Sequence, residues 1–165
     1  MIELLLEVNV ISSKKIKDVV DRYVDINFSV NRKLDNLIRM EIGDVLTCEQ
    51  HYTMRHINQV KVCTSSELAA VFGVNKSAIT SIINRLFEKE WIERTRDEKD
   101  RRVIYLTLTD KGNAIFTKME ERIHRLVESL INKFDDQEIS SFLATFEKLD
   151  KLIEENKDTK TEVEE

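Results

Sequence analysis

Apolar side chains recur every three or four residues along three long stretches of the chain. In the first stretch, from about Ser13 to Ile42, the apolar positions are Ile16, Val19, Val20, Tyr23, Val24, Val30, Leu34, Leu37 and Ile38. In the two later stretches they are Ile115, Phe116, Met119, Ile123, Val127, Leu130 and Ile131, then Ile139, Phe142, Leu143, Phe146, Leu149 and Leu152. This spacing puts each set on one face and predicts three long amphipathic helices.

Helix-start signals predict shorter helices between the first and second long ones. Two residue pairs there have capping-box spacing, and a third pair precedes the last helix: Thr47 with Gln50, Thr64 with Glu67, and Asp135 with Glu138. Asn75 is a typical N-cap for a helix that begins at Lys76 and ends near Lys89. We expect Gly43 to be a left-handed cap of the first helix, and Gly73 to lie in a turn that favours positive φ.

A different pattern follows Trp91. Residues 102–108 are rich in β-branched and aromatic side chains and show the alternation typical of a strand. They predict a strand with Ile104, Leu106 and Leu108 on one face. Residues 91–96 can pair with it as the other arm of a hairpin, and the polar residues between the arms form an exposed loop. The predicted fold class is therefore mainly α with a small β-hairpin.

Composition fits a single folded domain, and the charge distribution matters more than its total. The chain has 165 residues, 41% of them hydrophobic, with a net charge of −5. Residues 64–112 carry 9 basic and 8 acidic groups, whereas residues 113–165 carry 8 basic and 14 acidic groups. The middle of the chain also holds a dense basic cluster, formed by Arg94, Arg96, Lys99, Arg101 and Arg102. The local field there suits a polyanion despite the acidic total.

Residues 65–86 have the internal spacing of a helix-turn-helix. The small residue Ala69 lies where two helices would cross, and Gly73 follows four residues later in the turn. The positions that would pack the two helices together are all apolar: Leu68, Phe72, Val74, Ile79 and Ile82. The outward positions of the second helix are polar and mostly short: Asn75, Lys76, Ser77, Thr80, Ser81, Asn84 and Arg85. Such a surface suits entry into the major groove of DNA.

The hairpin loop supplies a second candidate contact with DNA. Its tip carries Lys99, Arg101 and Arg102 next to Asp97 and Asp100. An arginine at the tip of such a wing can enter a narrow minor groove, and we expect Asp100 to orient it through a charge-assisted pair. The candidate DNA-binding residues are Thr64, Ser65, Asn75, Lys76, Ser77, Thr80, Ser81, Asn84, Arg85, Lys99, Asp100, Arg101 and Arg102.

Short motifs typical of one family lie between residues 46 and 112, and the resemblance they support extends over about residues 13–155. They are Leu46-Thr47, Ser66-Glu67-Leu68-Ala69, Lys76-Ser77, Thr80, Arg85-Leu86, Trp91-Ile92-Glu93-Arg94, Asp97, Asp100-Arg101-Arg102 and Leu108-Thr109-Asp110-Lys111-Gly112. In this combination the chain resembles the MarR (multiple antibiotic resistance regulator) family of winged helix-turn-helix transcriptional regulators.

The resemblance implies a homodimeric repressor on a pseudo-palindromic DNA operator, released by a small phenolic or lipophilic effector. Arg102 matches the wing arginine of the family, and Asp100 matches its carboxylate partner. One position departs from the pattern, because Glu90 stands where the family usually has glycine before the first wing strand. Since Glu tolerates a left-handed cap poorly, we expect the exit from the recognition helix to be set differently here.

The predicted organisation follows from these elements. We expect an N-terminal dimerisation helix in residues 1–43, a winged helix-turn-helix domain in residues 44–109, C-terminal dimerisation helices in residues 110–155, and a charged, frayed tail in residues 156–165. The three long helices carry apolar faces that little else in the chain can cover. Two copies that cover each other would solve this problem, so the pattern itself predicts a dimer.

Other functional classes find less support. The chain has no Gly-rich phosphate loop and no nucleophile motif, so we expect no enzyme activity, no catalytic residues and no cofactor. Nothing reaches the spacing of a four-ligand metal site. Cys48 lies near a helix N-terminus, three residues from His51, which leaves open a redox- or metal-responsive regulator. A helical dimer that binds other proteins is the second alternative.

The remaining features concern location. The apolar run over residues 1–11 lacks a basic start and is too short to span a bilayer. Two cysteines, Cys48 and Cys63, are too few for a disulfide scaffold and fit a reducing compartment. We therefore expect a cytoplasmic protein with no membrane partner.

Overall fold

The computed structural model describes the backbone of residues 13–161 and the side chains of residues 15–156, so the apolar run over residues 1–11 lies outside the described residues. The elements within this range are α1 (Ser13–Ile42), α2 (Cys48–Val60), β1 (Cys63–Thr64), α3 (Ser65–Phe72), α4 (Lys76–Glu88), β2 (Ile92–Arg96), β3 (Ile104–Leu108), α5 (Asp110–Ile131) and α6 (Asp136–Thr161). A mainly helical chain with a small antiparallel sheet confirms the predicted fold class.

The chain divides into two compact units, with the boundary inside α5 between Glu120 and Glu121. The core of the first unit draws on α1 to α5 and on the sheet. Its most deeply buried apolar side chains are Ile42, Leu46, Met54, Ile57, Leu68, Ile79, Leu86, Ile92, Leu106 and Met119. Because α4 and both strands of the hairpin contribute to one core, α4 and the hairpin are held in a fixed relation.

The predicted helix starts are confirmed. Thr47 and Gln50 form a reciprocal capping box on α2, and Thr64 and Glu67 form another on α3. Asn75 caps α4 by accepting a hydrogen bond from the Ala78 backbone N–H at 2.9 Å. Each cap satisfies backbone donors that a helix leaves unpaired at its first turn, which is why short sequence signals locate these ends well.

The two predicted glycine caps have different outcomes. Gly73 adopts the left-handed conformation with φ of 60°, as expected. The prediction for Gly43 is wrong, because Gly43 is absent from the left-handed residues of the described chain. Its N–H donates to the Arg39 carbonyl at 2.7 Å, and a Cβ at Gly43 would fall within 3.0 Å of that same oxygen. Close approach to the α1 backbone, not a positive φ, is the reason for glycine there.

The packing inside the helix-turn-helix differs from the prediction at one residue. Leu68 and Ile79 are buried as expected, with Phe72 and Ile82 half-buried, whereas Val74 is 40% exposed. Val74 follows Gly73 in the turn and therefore belongs to neither helix face. In its place Ile83 is buried, because α4 turns Ile79, Ile83 and Leu86 toward the core at helical spacing.

The sheet contains one strand that the sequence pattern does not predict. The hairpin pairs β2 with β3, from Ile92 opposite Leu108 to Arg96 opposite Ile104. The strand β1 pairs with the other edge of β3, with Cys63 opposite Leu106, so the order is β1-β3-β2. Two residues are too few for any periodicity to be read. This extra pairing connects the start of α3 to the middle of β3.

The exit from α4 keeps the left-handed geometry despite Glu90, so the expectation of a different exit is wrong. Glu90 has φ of 60°, and its carbonyl accepts a hydrogen bond from the Thr109 hydroxyl at 2.7 Å. Its carboxylate pairs with the Lys111 ammonium at 2.6 Å, which lowers the pKa of Glu90. Contacts with the start of α5 therefore hold a residue type that disfavours this conformation.

Replacing Glu90 with glycine should raise the melting temperature by about 2–4 °C, because glycine removes the left-handed strain. Part of the gain is offset, since glycine makes the unfolded chain more flexible. The control is Glu90→Gln, which keeps the strained backbone but removes the charge that pairs with Lys111. Thermal unfolding at one protein concentration compares the three chains. A Glu90→Gly variant that melts below Glu90→Gln would contradict this account.

The second unit consists of the end of α5 and of α6. Asp135 accepts hydrogen bonds from the Gln137 and Glu138 N–H groups, each at 2.9 Å, and its own N–H donates to the Glu138 carboxylate. The predicted capping box is thus confirmed. The helix α6 continues to Thr161, so residues 156–161 of the predicted tail belong to it. Lys and Glu are good helix formers, so loss of the apolar pattern alone does not end a helix. Residues 162–165 lie outside the described residues.

Candidate nucleic-acid interface

The polar face of α4 is exposed along its whole length. The α4 cap and helix residues proposed from sequence are exposed at every position: Asn75, Lys76, Ser77, Thr80, Ser81, Asn84 and Arg85. The opposite face carries Ile79, Ile83 and Leu86, which are buried in the core. This division leaves a slim, polar surface that is backed by a rigid scaffold, as a helix that enters a DNA groove requires.

Several polar groups at the start of α4 are bonded locally. Asn75 Oδ1 accepts hydrogen bonds from the Ala78 N–H and from the Ser77 hydroxyl, the latter at 2.7 Å. The Thr80 hydroxyl donates to the Lys76 carbonyl at 2.6 Å. Within the described chain, no hydrogen bond or ion pair engages the side chains of Lys76, Ser81 and Arg85. These three therefore have donors available for an external acceptor.

The two candidate residues at the start of α3, Thr64 and Ser65, differ in exposure and in hydrogen bonding. The Thr64 hydroxyl accepts from the Glu67 N–H at 3.2 Å and donates to the Glu67 carboxylate at 3.0 Å. The bonds from Thr64 lower the pKa of Glu67. Thr64 is half-buried and starts the helix, whereas Ser65 is exposed at its first position. Of the pair, Ser65 is the one with an accessible hydroxyl.

Two aspartates stabilise the turn that connects β2 to β3. This turn, residues 97–103, is called the wing from here on. Asp97 Oδ1 accepts hydrogen bonds from the Lys99 and Asp100 backbone N–H groups, each at 2.8 Å, and these bonds lower the pKa of Asp97. Asp100 Oδ1 accepts a hydrogen bond from the Arg102 backbone N–H at 3.0 Å. The expected pair between Asp100 and an arginine side chain is not formed among the described residues. Asp100 instead positions Arg102 through its backbone.

Three cations of the wing are exposed and remain without a side-chain partner in the part of the chain that the structure describes. They are Lys99, Arg101 and Arg102. The bonds made by Asp97 and Asp100 fix the backbone on which these side chains stand. A fixed turn with unpaired cations can meet an anion with little loss of conformational entropy.

Sequence reasoning missed Arg94 as part of this site. Arg94, on β2, donates from Nη2 to Asn84 Oδ1 at 2.5 Å, and its guanidinium lies 4.7 Å from the centre of the Phe87 ring. The basic cluster contained Arg94, but no sequence signal links a strand residue to a helix residue ten positions earlier. Only the packing of the hairpin against α4 brings the two side chains together.

A buried histidine links α2 to α5 in the same unit. His51 is 2% exposed, and its Nε2 lies 2.6 Å from Glu120 Oε1, while Arg55 pairs with the other carboxylate oxygen, Oε2. The Phe116 ring stacks on the imidazole. His51 Nδ1 has no hydrogen-bond partner among the described residues. Burial is the main cause that lowers the pKa of His51, outweighing the opposite effect of Glu120. The neutral ring with its proton on Nε2 satisfies this arrangement.

Protonation of His51 should destabilise the fold. The pKa of His51 is lowered from its usual 6.5, so the unfolded chain binds the proton more readily than the folded chain. Stability should be complete well above pH 6.5 and should fall as the pH drops through 6.5 toward the lower pKa of His51 in the folded chain. Urea unfolding measures this change. The His51→Gln variant, which keeps a donor for Glu120, should lose this dependence, and an unchanged pH profile in that variant would exclude His51 as its source.

The two cysteines lie in surroundings that disfavour thiolates. Burial first, and then the Asp35 carboxylate, raise the pKa of Cys48. Burial raises the pKa of Cys63 to about 11. Reactive cysteines have lowered pKa values, so these surroundings do not favour a redox centre at either position. Among the side chains described, no group of three or more His, Cys, Asp and Glu residues is arranged to hold a metal ion. None of the described helices is both long enough and apolar enough to cross a membrane.

Comparison with known proteins gives consistent matches. The MarR family model matches residues 46–104. YpoP of Bacillus subtilis, an uncharacterised HTH-type transcriptional regulator, is 30% identical over 124 residues, which are 73% of this chain and 88% of YpoP. A mutant MarR of E. coli complexed with operator DNA has the same fold, with a TM-score of 0.70 and 24% identity over 80% of this chain and 96% of that chain.

FabT of Streptococcus pneumoniae, solved in complex with DNA, has a TM-score of 0.66 and 27% identity over 81% of this chain and 98% of FabT. The matched part of the chain contains the helix-turn-helix, β2 and all of residues 97–103. On the family-model match and on the identity and coverage of YpoP, the chain belongs to the MarR family of transcriptional regulators.

Proposed function

We propose that the protein is a homodimeric repressor that binds a pseudo-palindromic operator in double-stranded DNA. In this proposal α4 enters the major groove, and Arg102 on the wing enters the adjacent minor groove. The observation that carries it is the exposed polar face of α4, held in one compact unit with a folded turn whose three cations lack partners among the described residues. Polar donors beside unpaired cations are the chemistry that base edges and phosphates require.

The relatives support the same function. MarR of E. coli is complexed with operator DNA in its structure, and FabT is complexed with DNA. The residues proposed to form the DNA-binding surface are those expected from sequence. They are Thr64 and Ser65, the polar face of α4, and Lys99, Asp100, Arg101 and Arg102 on the wing. Within this surface, Thr64 and Asp100 act by shaping the backbone, since the structure engages their side chains internally.

A second copy of the chain accounts for the apolar surface of the long helices. In α1, Val19 is 60% exposed and Phe28 is 65% exposed, and in α6 Phe142 and Phe146 are 59% and 54% exposed. Such large apolar side chains are rarely left in water along whole helices, so a partner must cover them. The proposed dimerisation segments are residues 1–43 and 110–155. A two-fold dimer would then present two α4 helices to half-sites about 34–36 Å apart.

DNA binding also bears on the effector of the protein, on its lack of catalytic activity and on its location. A small phenolic or lipophilic effector would release the operator by changing the distance between the two α4 helices, because both half-sites must be met at once. We infer no catalytic activity and no cofactor, and we place the protein in the cytoplasm with the DNA. A protein-interaction role without DNA is the competing function, and the experiment below separates the two.

Fluorescence anisotropy with the promoter DNA adjoining the protein's own gene tests the proposal. Titrations at several salt concentrations should give saturable binding that resists random competitor DNA, with one dimer per palindrome. The affinity should fall steeply with salt, because lysine and arginine contacts release counterions from phosphates. Selection from random duplexes covers the case of a distant operator. If neither the promoter nor the selection yields a specific site, the repressor function is wrong and the protein-interaction role takes its place.

A further inference from the structure

The contact between Arg94 and Asn84 fixes which end of the Asn84 amide is available. A guanidinium group has only hydrogen-bond donors, so the amide atom that faces it must be the oxygen. Arg94 Nη2 lies 2.5 Å from Asn84 Oδ1, a short distance that fits a charge-assisted bond. With one lone pair of the oxygen engaged, the Nδ2 amino group is the part of Asn84 that stays fully available to another molecule.

Arg94 is itself held in place. Its guanidinium lies over the Phe87 ring at 4.7 Å, a cation–π geometry, and Phe87 is three residues after Asn84 on α4. Its backbone is paired within the sheet, where Arg94 stands opposite the buried Leu106 of β3. The arginine is therefore constrained by the strand and by the aromatic ring before it reaches the amide.

We propose that Arg94 is a positioning residue that makes Asn84 a hydrogen-bond donor toward DNA. This inference rests on the proposed function, because it assumes that the polar face of α4 meets the duplex. Asn84 would bind an acceptor, either on a base edge or on a phosphate oxygen. The two-bond pair with adenine would be disfavoured, since it also needs the amide oxygen, and Arg94 occupies one of the two lone pairs of that oxygen and fixes its direction.

A double-mutant cycle measures whether the two residues act together. Arg94→Met removes the donors but keeps an apolar stem for Phe87, and Asn84→Ala removes the amide. The probe is a fluorescein-labelled duplex of about 30 base pairs, long enough for two half-sites, selected from random DNA with the wild-type protein. We expect the loss of affinity caused by Arg94→Met to be at least about threefold smaller when Asn84→Ala is already present. Equal losses in both backgrounds would overturn the proposal.

Arg96→Met is the matched control. It removes one positive charge from the same strand, two residues from Arg94. Its effect on affinity should be the same with and without Asn84→Ala, because simple loss of charge weakens binding independently of the amide. If Arg96→Met shows the same coupling as Arg94→Met, the coupling reflects the local field and the positioning role is wrong.

Substituted duplexes then identify the acceptor. For a base contact, Arg94→Met should raise the relative affinity for adenine at one base pair of each half-site, because the released amide can rotate and use both of its ends. For a phosphate contact, the affinity should fall evenly across all base substitutions. A neutral methylphosphonate at the contacted phosphate should then abolish the effect of Asn84→Ala. Either pattern, together with coupling in the cycle, supports the positioning role.

An NMR measurement without DNA separates failure of this inference from failure of the proposed function. The Asn84 side-chain NH₂ signals, assigned by their loss in Asn84→Ala, should shift in Arg94→Met and stay in place in Arg96→Met. Unchanged signals in Arg94→Met would show that Arg94 does not hold the amide, and the inference would fail even if the protein binds its operator. If the signals shift but the wild-type protein selects no duplex, the contact exists and the DNA-binding function is wrong.

Discussion

Replacing Gly112 with alanine is expected to lower the free energy of unfolding by about 2–3 kcal/mol. Gly112 is buried in the first turn of α5, where its N–H donates to the Thr109 hydroxyl at 2.9 Å. A Cβ at this position would fall within 3.0 Å of the Trp91 carbonyl oxygen. That oxygen is also bonded to the Thr109 N–H at 3.1 Å. The methyl group must therefore displace backbone, which outweighs the gain of about 1 kcal/mol from a better helix former.

Gly73→Ala is the matched control for this prediction. Gly73 has φ of 60°, but a Cβ there would meet nothing within 4 Å. Its replacement should lower the free energy of unfolding by only about 1–2 kcal/mol, because a residue with a side chain disfavours the left-handed conformation. Urea unfolding at one protein concentration, needed because a dimer is expected, compares the two variants. If Gly112→Ala proves no less stable than Gly73→Ala, α5 does not depend on close approach to Trp91.

Replacing Arg102 with alanine is expected to weaken operator binding by about two orders of magnitude. An arginine in a groove contributes about 1–3 kcal/mol, and a homodimer carries two such wings. The backbone of Arg102 is fixed by Asp100, and its guanidinium has no partner among the described residues, so its donors are available to DNA. The folded dimer should be unaffected, since the side chain is exposed.

Anisotropy titrations over a range of salt concentrations measure this effect on the selected duplex. The control is Lys118→Ala, which removes one exposed positive charge from α5, an element that is outside both the wing and α4. It should change the affinity by less than about threefold. If Arg102→Ala binds within threefold of the wild type while Lys76→Ala on α4 binds weakly, the wing does not enter the groove, and α4 alone carries recognition.

Local signals in the sequence located most of the helices. The bounds of α1 agree with the apolar periodicity, and the first residues of α2, α3 and α4 agree with caps at Thr47, Thr64 and Asn75. These features depend on residues within four positions of each other, so a single chain reveals them. The strand β1 was not predicted from the sequence. Its formation depends on pairing with Leu106 and Tyr105, about 40 residues away, rather than on its own two residues.

The candidate interface shows the same division. Exposure of the α4 face follows from helical periodicity, and so does the burial of Ile79. The bonding within that face does not follow from it, because Asn84 is engaged by Arg94 from a different element. Asp100 likewise accepts a hydrogen bond from the Arg102 backbone and not from an arginine side chain. The geometry of the turn determines this partner, and the residue types alone do not.

By itself, the sequence determined the fold class, the helix starts, the polar face of α4 and the position of the basic turn, because periodicity, capping and charge are local properties. Only the tertiary structure decided how Glu90 can replace a glycine, why Gly112 must be one, and which side chain orients Asn84. Each of these depends on an approach between segments that are distant along the chain. Such approaches are set by the packing of the whole core, which no short stretch of sequence specifies.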